Sequence, residues 1–171
     1  ISVLFTLLLF MFGALAATTN EVKDLTNYVI AINQYNKTGQ VYLNENDIEK
    51  ATQAFKEALR LSEQINEVEL IAKSNYYLCI TSNVSSNYEA AIGYCLNATE
   101  NIDLHNNTDL WRKSMLGVHG AYNKLGQEET AELYYGKLYS FHYEKGLLNE
   151  LATSFYTDAR FLHNKRHFVD A

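Results

Sequence analysis

One small, apolar pattern recurs three times at a fixed spacing. Ala51, Phe55 and Ala58 are followed 40 residues on by Ala91, Cys95 and Ala98, and 40 further on by Ala131, Tyr135 and Leu138. Offsets of four and three residues place each trio on one face of a helix. Polar and charged residues interrupt the trios, so the opposite face stays wet while the small face lets a second helix approach closely. Upstream of the first trio, Ile32, Tyr35, Gly39 and Tyr42 make a stripe of the same period, and Asn44 to Asn46 supply a short polar turn. Two such helices form a hairpin. Hairpins at a constant pitch form an array in which each unit buries its face against its neighbours.

On these residues the chain resembles the tetratricopeptide repeat, in which a small residue (Gly39) precedes an aromatic one (Tyr42) on the first helix and Ala51, Phe55 and Ala58 line the second. The likeness runs from Ile32 to about Gly146, with departures. The pitch is longer than the family's by about six residues, the helix-ending proline is absent, and His119 stands where the third repeat should have a small residue. The extra length is expected at the second helices or their exits, at Ser62 to Val68, Asn101 to Asp109 and Phe141 to Gly146. The resemblance implies an all-α, right-handed solenoid of helical hairpins, with repeats at 32–66, 72–106 and 112–146 and a final helix at 147–163 bearing Ala152, Phe155, Ala159 and Leu162. Gly39, Tyr42, Ala51, Phe55, Ala58, Ala91, Ala98, Ala131 and Tyr135 are then the packing residues. It also implies a concave surface made by the first helices, carrying Asn36, Gln40, Tyr76, Ile80, Lys113, Asn123, Tyr156 and Arg160, that would take an extended peptide or surface ligand.

Ahead of the array, 1–31 reads as a separate hydrophobic-to-amphipathic helix. Its first 17 residues are almost wholly apolar, with Val3, Leu4, Phe5, Leu7, Leu8, Leu9, Phe10, Met11, Phe12 and Leu15 interrupted only by Ser2, Thr6 and a Gly-Ala segment. Three readings compete. Residues 1–16 fit a secretory signal peptide, with Ala14-Leu15-Ala16 resembling a signal-peptidase site. A membrane anchor fits the hydrophobicity, although a span needs about 20 residues. The third is a retained apolar helix of the kind found in type IV pilins. Because residue 1 is Ile and no basic flank precedes the run, the expectation is that the segment survives and begins where a leader was removed. Beyond it, Val22, Leu25, Val29, Ile32 and Tyr35 continue a helical stripe without Gly or Pro, so one long helix, or two nearly collinear ones, is expected from about Ser2 to Leu43.

A retained helix of this composition cannot stay in water, since each large apolar side chain gains roughly 1.5–3 kcal/mol on burial. On the pilin resemblance it lies in the membrane before assembly and packs against copies of itself in a filament core afterwards. Phe5 stands where many bacterial pilins have Glu, which makes archaeal-type subunits the nearer comparison. The expectation is a structural subunit of an extracellular pilus-like filament. The alternative is a secreted or membrane-anchored peptide-binding scaffold.

The remaining residues bound these readings. A net charge of −6, spread along the helices with no basic stripe among aromatics, argues against nucleic acid as a partner. Four sequons, at Asn36, Asn83, Asn97 and Asn106, admit N-linked glycan if the chain crosses a membrane; Asn83 and Asn106 are expected in accessible turns and to carry it, whereas Asn97 near a helix end and Asn36 within a helix favour the unmodified reading. Cys79 and Cys95 fall on facing helices of the second repeat. They read either as a disulfide or as two small buried residues. His163 and His167 share a helix face but lack a metalloprotease pattern, His119 lies on a packing stripe, and Glu128 and Glu129 read as a solvated face. No catalytic, cofactor or metal residue is expected.

Overall fold

The computed structural model describes residues 2–100, 102, 107–146 and 149, with side chains from Val22 onward. The described residues are helical apart from short connections: α1 (Ser2–Asn44), α2 (Ile48–Gln64), α3 (Val68–Val84), α4 (Tyr88–Thr99), α5 (Thr108–Lys124) and α6 (Glu128–Glu144). The expected final helix, with Tyr156, Arg160, His163 and His167, lies outside the described residues, as does Asn106.

The turns repeat more finely than the sequence pattern does. Asn46, Asn66, Ser86, Gly126 and Gly146 all have positive φ, between 54° and 73°, and they fall on a 20-residue cycle. Each stops a helix with a left-handed residue that lets the chain reverse. At the first turn the Asp47 amide donates to the Tyr42 carbonyl (2.8 Å) and the Asn46 amide to that of Leu43 (3.1 Å). The same pair of bonds recurs at Glu67 and Asn66, at Asn87 and Ser86, and at Gln127 and Gly126. The residue that closes one helix then caps the next. Asp47 and Asn87 accept from the amides of Lys50 and Ala90 at 3.1 and 3.3 Å, satisfying donors that a helix start leaves open. α2, α3, α5 and α6 are each 17 residues long. For these four helices the 40-residue pitch divides into equal helix-and-turn units, whereas α4 is 12 residues long and ends at Thr99. At Ser62 to Val68 the second helix runs on to Gln64, as one branch of the expectation has it, and α3 begins at Val68.

Each helix packs on the one before it and the one after it. In addition α1 touches α3 and α3 touches α5, whereas α2, α4 and α6 make no such contacts with one another among the described residues. The interior is a chain of linked clusters. Ile32 of α1 meets Ala58 and Leu61 of α2; Ala51 and Phe55 of α2 meet Leu78 of α3; Cys79 and Cys95 meet Val118 of α5. Every cluster thus ties a hairpin to itself or to its neighbour, as expected where no single centre exists.

One register position carries three different solutions. Where α1 crosses α2, Gly39 lies under Phe55, and a Cβ on the glycine would sit 2.5 Å from the ring. Forty residues on, the same pair is Cys79 and Cys95, joined as a disulfide with Cα atoms 5.1 Å apart. Forty further on it is His119, edge-on to Tyr135 at 5.1 Å between ring centroids. The large residue at 119 is accommodated because its ring meets an aromatic edge and the Asn123 amide, rather than the face that Phe55 offers to Gly39.

Candidate binding face

α1 touches α3 and α3 touches α5, and one side of these first helices runs through residues at a shared repeat offset. On α3 this side carries Lys73, Tyr76 and Ile80, and on α5 Lys113, Leu116 and Gly120, at matching helical offsets. Tyr76 and Ile80 are half-buried, Lys113 is exposed, and nothing lies within 4 Å of a Cβ placed on Gly120. Here the α5 backbone is open to an approaching chain.

The charges converge on the junction of α3 with α5. Asp109 in the first turn of α5 accepts from Arg112 at 2.7 Å and Lys113 at 2.6 Å. The Lys113 ammonium, and next to it Arg112, hold the Asp109 carboxyl below its ordinary range, and Asp109 in turn raises the Lys113 value. Two cations share the Asp109 carboxylate, and Glu69 of α3 lies at the same junction, accepting from the Asn107 amide at 2.9 Å. Burial pushes the Tyr76 phenol upward, against the pull of Lys113 and Arg112. Tyr76 also leans on Tyr77 (5.6 Å between centroids), which stacks on the core ring of Phe55 at 4.8 Å. An aromatic shelf anchored in the core thus ends beside the paired cations. The two layers of the array differ in charge: α5 carries Arg112, Lys113 and Lys124 against Asp109 alone, while α6 carries Glu128, Glu129, Glu132 and Glu144 against Lys137 alone.

Of the residues expected in the groove, Tyr76, Ile80 and Lys113 share this side, and Gln40 is exposed on α1 with its amide donating to the Asn36 carbonyl at 3.1 Å. Asn123 is half-buried and turned to His119. Asn36 is a correction on two counts. Its side chain is 1% exposed and donates to Ser74 at 3.4 Å, because α3 packs over it, so it neither lines the face nor has room for a glycan. Asn83 is also less open than a turn residue would be: it is half-buried in the last turn of α3, with its amide donating to the Cys79 sulfur at 3.7 Å. Asn97 is exposed on α4.

Gly117 was not singled out by sequence. It faces the disulfide from α5, and a Cβ there would lie 2.5 Å from the Cys95 sulfur and 2.8 Å from that of Cys79. Its signal was available in its offset, 38 residues after Cys79 and two short of the His119 register.

Among the described residues no cluster of three His, Cys, Asp or Glu side chains could hold a metal, and no helix is long and apolar enough to cross a membrane. The apolar residues Val3 to Leu15 lie outside those whose side chains are described. The class that the fold defines is an all-helical array of antiparallel hairpins. No protein-family model matches the chain, and no curated protein matches it.

Proposed function

We propose that the chain is a protein-binding module resembling a tetratricopeptide solenoid, which takes an extended acidic peptide along α1, α3 and α5. The observation that carries this reading is the one-sided contact between first helices. Helices that touch on one side and spread on the other make a concave inner face, the geometry in which such arrays hold ligands. Excess cations on α5 and the Tyr76 shelf select an acidic segment with an apolar or aromatic anchor. A library of extended acidic, neutral and basic peptides tests it. The folded protein should retain acidic members preferentially, Lys113→Glu and Tyr76→Ala should each weaken retention by tenfold or so, and Glu89→Gln on the outer side should change nothing. Retention that is indifferent to peptide charge, or unchanged in Lys113→Glu, would remove the assignment.

A second reading is favoured by one feature, the 43 residues of α1 that run unbroken from the apolar start into the first hairpin. A helical stem continuous with a head suits an extracellular pilus-like filament, its apolar ends packed together and its heads outside. In this reading Leu8→Asp with Phe12→Asp abolishes assembly, and native material shows fibres by electron microscopy. Monomeric native protein beginning near Ala17 would rule the filament out and leave the binding module intact.

A further inference from the structure

We infer that Asn97 is an N-glycosylation site, and that the outer surface of α4 is built to carry the sugar. Asn97-Ala98-Thr99 is a sequon in the last turn of the helix, which ends at Thr99 with Glu100 already extended (φ −71°, ψ 137°). Glu89, Gly93 and Asn97 are all exposed and lie along the outward side of α4, while Ala91, Cys95 and Ala98 point inward. One turn before Asn97, Gly93 has no side chain and no heavy atom within 4 Å of where one would begin. A glycan on Asn97 therefore meets open space along the helix. The other two described sequons fail this test: Asn36 is enclosed by α3, and the Asn83 amide is directed at the cystine. Exposure singles out one of the three.

The second support is chemical and comes from the same helix. Cys95 lies two residues before Asn97 and is bonded to Cys79, with both sulfurs in the core. Structural disulfides belong to oxidising, extracytoplasmic environments, where sequons are also modified. The helix that carries the accepting asparagine thus bears the mark of that environment. In the transfer, the Asn97 side-chain nitrogen forms a bond to the anomeric carbon of a lipid-phosphate-linked sugar. The bond from that carbon to the phosphate oxygen breaks, the lipid phosphate leaves with the electron pair, and the nitrogen releases one proton to solvent. Thr99 supplies the hydroxyl that the transferase requires while the chain is still extended; after folding it donates to the Leu96 carbonyl at 2.7 Å.

The sugar would stand on the second-helix side, away from Tyr76 and Lys113, and so leave the inner face free. Tandem mass spectrometry of native, full-length protein should find hexose or hexosamine mass on Asn97 and none on Asn36. Asn97→Gln and Thr99→Ala, expressed in the native host, should both lose that mass and migrate faster on a denaturing gel. Thr99→Ser should keep it, which separates loss of the hydroxyl from a folding defect. Unmodified Asn97 in native protein, or sugar on Asn36 in its place, overturns the inference, whatever the fate of the peptide-binding reading.

Discussion

Replacing Cys79 and Cys95 together by alanine should lower stability by about 3 kcal/mol, because a cross-link closing a loop of this length restricts the unfolded chain by roughly that amount. The bond spans 16 residues and joins α3 to α4. In a chain of this size that loss corresponds to a fall of about 6–12 °C in melting temperature. The effect should be centred on the middle hairpin, since an array loses stability through its neighbour contacts rather than all at once. Amide exchange should therefore quicken first in α3 and α4, and then at the α5 residues that rest on the cystine. Added thiol should reduce the folded protein slowly, because Cys79 and Cys95 are 1% and 0% exposed and the α5 backbone passes close to both at Gly117. A double alanine variant melting within a degree of the parent would show that the bond adds nothing to packing already in place.

The helix-pair architecture was legible because small residues at fixed offsets leave few alternatives. Ala51, Ala91 and Ala131 are each wholly buried, as the 40-residue recurrence requires. What stayed hidden was the half-period. First and second helices bury different chemistry, Ile32 and Asn36 on one and Ala51 and Phe55 on the other, so their apolar patterns do not superimpose. Only the turn positions betray the 20-residue cycle, and there Asn46, Asn66 and Ser86 do the work more often left to glycine. Asn36 misled for a related reason. A polar side chain on an otherwise helical stripe reads as surface, but the partner that encloses it, Ser74, is 38 residues away and lies on the next first helix. Of the proposed binding face, the positions of Tyr76 and Lys113 on first helices follow from repeat register, whereas the shared carboxylate of Asp109 depends on side-chain geometry at a helix start. Sequence left the cysteine pair open between bond and packing, and the 5.1 Å separation of their Cα atoms lies within the range a disulfide allows.

Gly117→Ala and Gly120→Ala, the same substitution three residues apart on α5, should move stability in opposite directions. At Gly120 the new methyl meets nothing within 4 Å. Its effect there is the ordinary helix gain of alanine over glycine, up to about 1 kcal/mol. At Gly117 the methyl would lie 2.5 and 2.8 Å from two sulfurs. Neither can rotate away, because each is tied to the other and buried beside Val118. The helix gain remains, but α5 must shift off the middle hairpin, and overpacking of this kind costs about 1–3 kcal/mol or more. The net result is a clear fall in melting temperature against a small rise for Gly120→Ala. The two sites also differ in how they couple to the cystine. Once Cys79 and Cys95 are alanine, the obstructing sulfurs are gone and the methyl at 117 fills part of the space they leave, so the penalty of Gly117→Ala should shrink or reverse. Contacting residues show such non-additivity, whereas distant ones sum. Gly120→Ala should accordingly give the same gain in both backgrounds. If Gly117→Ala costs as much without the sulfurs as with them, α5 does not rest on the disulfide, and the third hairpin is held to the second by other contacts.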